Sequence, residues 1–176
     1  MRSWHLIKPN LILSEPIWSL TPEVMAKFGL RGLILDVDDT LVGNHEIEAS
    51  PEVQQWIALM QQHYQIWLIS NNPNTRRIQR VAEALGLESY RSRAAKPSRR
   101  VVREALVAMQ LLPEQVAMVG DRLFTDTLVG NRLGMFTVLV QPIEPVKAPK
   151  KSWLNGRSQL LRSWEFWLAR LSGVNI

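Results

Sequence analysis

"GLILDVDDTLV", Gly32 to Val42, opens as an apolar run and then places Asp36, Asp38 and Asp39 within four positions. An apolar run this short, halted by charge, reads as a strand buried on both faces, as a parallel sheet requires. Carboxylates crowded at the end of such a strand repel one another, and they stay ionised only when something cationic is shared between them. Fold and chemistry both hang on that junction.

Helical patterns and apolar runs alternate after it. In "SPEVQQWIALMQQH", Ser50 stands as an N-cap and Pro51 at the first helical position, with Val53, Trp56, Ile57 and Met60 on one face. "QIWLIS" is the next strand. Asn74 then caps a helix bearing Ile78, Val81, Ala82 and Leu85, closed by Gly86. A short strand near 89–91 leads to "AAKPS", where Pro97 is expected to open a helix with Val102, Ala105, Leu106 and Met109 on one face. "QVAMVG" is a strand, "TDTLVGNRLG" a short helix ended by Gly134, and "FTVLV" a last strand. Strands separated by helices of this length predict an α/β fold: a Rossmann-like, open and mostly parallel sheet with helices on both faces. Ligands bind beyond the carboxyl ends of the strands in such sheets. Asp36, Asp38, Ser70, Asn71, Lys96 and Asp121 all fall there, so four strand ends are expected to converge on one crevice.

Composition bounds the chemistry. A chain of 176 residues, 46% of them hydrophobic, suits one domain with a sizeable core. It has no apolar run long enough to span a membrane, and "MRSWHLIKPNLIL" is broken by Lys8, Pro9 and Asn10 where a signal peptide needs an apolar centre. The expected location is cytoplasmic, extending to a peripheral place on the inner membrane surface. With no cysteine there are neither disulfides nor thiolate metal sites. All five aspartates lie in two places, Asp36, Asp38 and Asp39 in one and Asp121 and Asp126 in the other, which suggests a common task. Residues 146–176 hold six basic residues and one acid, and so carry the whole net charge of +5.

Histidines are few and lie elsewhere, so the cation suited to clustered carboxylates is a hard, oxygen-loving one, and Mg²⁺ shared with a substrate phosphate fits best. Lys96 adds a second positive centre, and Ser70, Asn71 and strand-end amides complete a cradle for a phosphoryl group. Asp36 is placed to attack and form an aspartyl phosphate. Asp38, two residues on, reaches the same side of a locally extended chain and is placed to move the proton.

"DVDDT", "LISNN", "AKP" and "GDRLFTD" resemble, in order, the four signature motifs of the haloacid dehalogenase (HAD) superfamily of phosphohydrolases. The resemblance implies Asp36 as nucleophile and Asp38 as general acid/base, with Ser70 and Lys96 binding phosphate. It further implies that Asp121 and Asp126 hold Mg²⁺ together with Asp36 and the Asp38 carbonyl. Asp126 has a second reading as a cap of the following helix, and Asp39 has no assigned role beyond turn-capping or support. An acid at position 38 resembles the superfamily's phosphatases and phosphotransferases, not its transport ATPases or dehalogenases. The short intervals between motifs, about thirty residues from Thr40 to Ser70 and about twenty-five from Ser70 to Lys96, leave no room for a cap domain. "KFGLRGLILDVDDTLV" and "LGMFTVLVQPI" are similar to the YqeG branch, related to phosphatidylglycerophosphate phosphatases. That similarity implies a lipid-head-group phosphomonoester as substrate and no nucleic-acid partner. The alternatives are a soluble capless phosphatase acting on a nucleotide, polynucleotide end or phosphoprotein, and a non-catalytic binding relative.

Two segments stay open at this level. Arg91, Arg93, Arg99, Arg100 and Arg103 surround Lys96 and suit either an anionic substrate or a solvated helix face. The domain is expected to end near residue 145. Beyond it, a basic linker and an amphipathic helix, with Leu160, Leu161, Trp164, Trp167, Leu168 and Leu171 on one face, suit packing on the same domain or contact with a membrane surface.

Overall fold

The structure, a computed structural model, describes residues 4–143. The linker and amphipathic helix expected over 146–176 lie outside the described residues. Six strands form one sheet: β1 (Leu11–Ile12), β2 (Gly32–Leu35), β3 (Gln65–Ile69), β4 (Tyr90–Arg91), β5 (Val116–Gly120) and β6 (Phe136–Leu139). Their order is β1-β6-β5-β2-β3-β4, and every pair is parallel. The helices are α1 (Pro22–Lys27), α2 (Pro51–Gln61), α3 (Thr75–Ala84), α4 (Arg100–Met109) and α5 (Leu128–Leu133).

Alternation along β2 sorts the helices into layers. Leu33 and Leu35 pack with Met25 of α1, Val53, Trp56, Ile57 and Met60 of α2, and Ile78, Val81 and Ala82 of α3. Ile34 faces the opposite layer, with Val102, Ala105, Leu106 and Met109 of α4 and Val129 of α5. The apolar stripes expected on α2, α3 and α4 are the buried faces, and Ser50 and Asn74 cap α2 and α3 by accepting from the amides of Val53 and Arg77.

Pro97 does not open α4, which begins at Arg100 behind Arg99. The Lys96–Pro97 bond is cis, and a turn closed by Ser98 N–H on the Ala95 carbonyl (2.8 Å) separates it from the helix. The N-terminal region also holds elements that periodicity does not show. The two residues of β1 join the sheet edge because Asn10 pairs with Thr137 through both backbone and side chain. The indole of Trp56 donates to the Leu20 carbonyl (2.7 Å) and the Tyr64 hydroxyl to that of Pro22 (2.9 Å), tying this region to the α2 layer.

From β2 the chain moves outward through β3 and β4, then returns to the other side of β2 with β5 and β6. The β2/β5 boundary is therefore the topological switch point, where the two connections leave in opposite directions and open a crevice. The connections nearest it, 36–50, 70–74 and 92–99, hold no inserted domain.

Candidate functional site

Asp36 follows β2 and Asp121 follows β5, so these paired strands set the two carboxylates side by side at the switch point. Asp36 N–H continues the sheet by donating to the Val119 carbonyl (2.9 Å). Asp126 enters from one π-helical turn, Leu123–Thr127. Its carboxylate lies so close to Gly120 that a Cβ there would meet Asp126 Cγ at 2.4 Å, which is the physical reason for glycine at the end of β5. One oxygen from each of Asp36, Asp121 and Asp126 lies within 4.8 Å of the others, and all three residues are buried.

Lys96 reaches this group from the β4–α4 loop. Its Nζ contacts Asp36 Oδ1 at 2.6 Å and Asp126 Oδ1 at 2.7 Å, and donates to the Ile69 carbonyl at 2.9 Å. Burial alone would push the lysine down, but the two carboxylates outweigh it and hold the ammonium charged well above the usual range. Asp36 is pushed up to about 6, chiefly by burial, with Lys96 pulling it down and Asp126 and Asp38 adding to the rise. Three buried carboxylates thus face one buried ammonium. The partly exposed Arg122 guanidinium flanks the group at Asp121, and the all-oxygen donor set of three clustered carboxylates suits a hard cation.

Asp38 lies in the same crevice but belongs to a different network. Arg77 NH1 meets its Oδ1 at 2.6 Å, Ser70 Oγ donates to its Oδ2 at 2.9 Å, and Asn72 Nδ2 approaches that oxygen at 3.3 Å. Arg77 is buried, and its NH2 donates to the Gly43 carbonyl (2.9 Å). The Ser70 hydroxyl also accepts from Asn72 N–H at 2.9 Å, bridging Asp38 and its own loop. The Asn71 side chain is engaged at both ends by the backbone of Lys96, accepting at 2.7 Å and donating at 3.0 Å. Asn71 therefore clamps the loop that carries the lysine.

Every residue singled out in the sequence, Asp36, Asp38, Ser70, Asn71, Lys96, Asp121 and Asp126, lines or braces this crevice. Asp126 does not cap the helix that follows, whose N-cap is Thr127: its Oδ2 accepts from Arg122 N–H (3.3 Å), four residues back, while Oδ1 faces Lys96. Asp39 adopts a left-handed conformation (φ 62°), donates through its amide to the Val42 carbonyl (2.7 Å) and sets its carboxylate 3.9 Å from Arg122. Arg122 in turn stands 3.8 Å from Asp121 and is partly exposed. Arg77, Asn72 and Arg122 were missed in the sequence. Arg77 did leave a signal, because it stands four residues before Val81 on the buried stripe of α3, where a lone charge requires a partner.

A phosphoryl-transfer centre on a HAD-type fold is the class these features define. The sequence profile of the family described as mitochondrial PGP phosphatase matches residues 1–146. The chain is 36% identical to the probable phosphatase YqeG of Bacillus subtilis (strain 168) over 128 residues, 72% of this chain and 73% of that protein. It is 31% identical over 157 residues to the chloroplastic phosphatidylglycerophosphate phosphatase 1 of Chlamydomonas reinhardtii, covering 84% of this chain but only 56% of that one. Among solved structures, the cobalt-bound deoxy-D-mannose-octulosonate 8-phosphate phosphatase of Haemophilus influenzae superposes with a TM-score of 0.53 at 13% identity, covering 81% of this chain and 90% of that chain. That likeness shows the fold. The chain belongs to the YqeG/PGP phosphatase family of the HAD superfamily and is a phosphatase of that superfamily. Among the described residues, no helix is long and apolar enough to cross a membrane.

Proposed function

We propose that this protein is a Mg²⁺-dependent phosphomonoesterase acting through an aspartyl phosphate on a large or lipid-linked substrate, with phosphatidylglycerophosphate as the leading candidate. The observation that carries the metal and the phosphate is the clustering of three buried carboxylates, Asp36, Asp121 and Asp126, with one oxygen of each within 4.8 Å of the others, beside the Lys96 ammonium. Asp36, Asp121, Asp126 and the Asp38 carbonyl would hold Mg²⁺, whose charge stabilises the transferring phosphoryl group.

An Asp36 carboxylate oxygen attacks phosphorus, and the ester P–O bond breaks with its electron pair going to the leaving oxygen. Asp38 supplies the proton to that oxygen. Water then attacks phosphorus, gives a proton to Asp38 and releases phosphate from Asp36. Lys96 and Ser70 bind the phosphoryl oxygens, which requires the Ser70 hydroxyl to turn from Asp38 toward the substrate. Asn71 contributes by fixing the Lys96 loop. The absence of an inserted domain in the connections around the crevice supports a substrate whose bulk stays outside, and the family relatives support the lipid.

Residues 1–145 form the catalytic domain in this reading, and 146–176, with all the net charge, bind the anionic lipid surface where the substrate lies. The test is Mg²⁺-dependent phosphate release from phosphatidylglycerophosphate, nucleotides, sugar phosphates and phosphopeptides. The lipid should give the highest kcat/KM. A nucleotide or phosphopeptide ahead of it by tenfold or more would overturn the lipid assignment and leave a soluble-substrate phosphatase.

A further inference from the structure

The arginines around Lys96 are not equivalent. Arg91 lies over the Trp67 ring, 5.3 Å from its centroid, and donates to the Tyr90 carbonyl. Arg99 takes the N-cap position of α4, Arg100 faces Glu104 at 4.0 Å along that helix, and Arg103 lines a groove with Leu106 and Val107 on its outer side. Arg93 is held differently. Its amide donates to the Asn72 carbonyl (3.1 Å) and its Nε to the Pro73 carbonyl (3.0 Å), yet the residue is exposed. Among the described residues, its two terminal nitrogens make no hydrogen bond. An arginine held at Nε with its fork open to solvent is preset for a phosphate oxygen pair.

The backbone points the same way. Arg93 and Ala95 both have left-handed φ, 52° and 54°, which glycine adopts with less strain. Between them Ala94 is buried and donates to the Ser70 carbonyl (3.0 Å), so the loop is stitched to the Ser70–Pro73 turn. Arg93 thus holds a backbone conformation that glycine would adopt with less strain, in the loop that carries Lys96.

The proposed chemistry supplies the direction. The leaving oxygen must lie within hydrogen-bond reach of Asp38. Asp38 is bonded to Ser70 and Asn72, and Arg93 is fixed to the turn that carries them, so Arg93 borders one side from which the leaving half of the substrate can extend. We infer that Arg93 binds a second anionic group, a phosphodiester or another phosphate, carried by the leaving half of the substrate. This rests on the roles proposed above for Asp36 and Asp38.

The experiment compares wild type, Arg93→Gln, Arg93→Lys and Arg93→Gly on three substrates: an aryl phosphate with one anion, a short-chain phosphatidylglycerophosphate below its micellar concentration, and a sugar bisphosphate. The readout is KM for each two-anion substrate divided by KM for the aryl phosphate. That ratio should rise about tenfold in Arg93→Gln and Arg93→Gly, and recover in part in Arg93→Lys. Arg93→Gly relieves the φ strain, and because the readout is a ratio of KM values from one preparation, any loss of folded protein cancels from it. A rise on the lipid alone assigns the anion to a head-group phosphodiester, a rise on the bisphosphate alone assigns it to a free phosphate, and either supports the contact. Unchanged ratios on both overturn it. Binding of the same compounds to Asp36→Asn and to Asp36→Asn/Arg93→Gln reads the contact without turnover. An inert wild type would therefore sink the proposed chemistry, while equal affinities in that pair would sink the Arg93 contact.

Discussion

Asp36 and Asp38 are two residues apart, and their surroundings are built on opposite plans. Asp38 is matched: one buried guanidinium at 2.6 Å and the hydroxyl and amide of Ser70 and Asn72 satisfy its two oxygens. Asp36 is not, because it shares one ammonium with Asp126 and lies beside Asp121. The matched network fixes a carboxylate in place using only protein groups. The other crowds three carboxylates around one buried ammonium, and that contrast fits the parts proposed for Asp38 as proton carrier and Asp36 as metal-binding nucleophile.

Four changes break or sharpen the contrast. Asp36→Asn preserves the shape of the carboxylate cluster but removes the proposed nucleophile, so turnover of an aryl phosphate should fall at least about a thousandfold. Activity within tenfold of wild type would remove Asp36 from the chemistry. Lys96→Met leaves three buried carboxylates without their ammonium and should cost about 3–5 kcal/mol of stability in chelator. Mg²⁺ should restore part of that loss by binding among the same carboxylates, and denaturation curves that ignore Mg²⁺ would contradict a metal site there.

Gly120→Ala drives a methyl group into the Asp126 carboxylate and should cost about 1–3 kcal/mol along with a weaker Mg²⁺ affinity, measured by calorimetric titration. An unchanged affinity would mean that Asp126 does not ligate. The smallest effect is on pH. Burial pushes Asp36 up to about 6 in the folded protein without metal, against 3.8 for the unfolded chain, so between these values only the folded state holds the proton. The metal-free protein should therefore gain stability from this group as pH falls from 7 toward 4 and lose it as pH rises through 6. Mg²⁺ must displace that proton, so its affinity should fall up to about tenfold per pH unit below 6 and level off above. An affinity flat from pH 5 to 7 would show that the proton and the metal do not compete at Asp36.

Much of this was legible in the linear chain, for physical reasons. Strands buried on both faces must be apolar throughout, and helices that cover them must carry stripes at the 3.6 period, so β2, β3, β5, α2, α3 and α4 declare themselves. Pro97 misled because proline at a first helical turn and proline in a cis turn look identical as letters; the hold of Asn71 on Lys96 places it in the turn. Asn71 shows a second limit. Its place at a strand end is readable, but whether its amide faces the substrate or clamps a neighbouring loop is a question of rotamer and contact.

What the sequence determined by itself is the alternation of elements and the position of each chemical group at a strand end, because both depend on local period and spacing. The pairing of charges was decided only in three dimensions. Arg77 meets Asp38 across 39 positions and Lys96 meets Asp36 across 60, and no local signal encodes which carboxylate each cation will reach. The strand order that sets β5 beside β2 brings Asp121 to Asp36, and the π-helical turn turns Asp126 inward. The composition thus announces a charged site, and the fold leaves one carboxylate paired with its own guanidinium and its neighbour in a carboxylate cluster that suits the proposed metal.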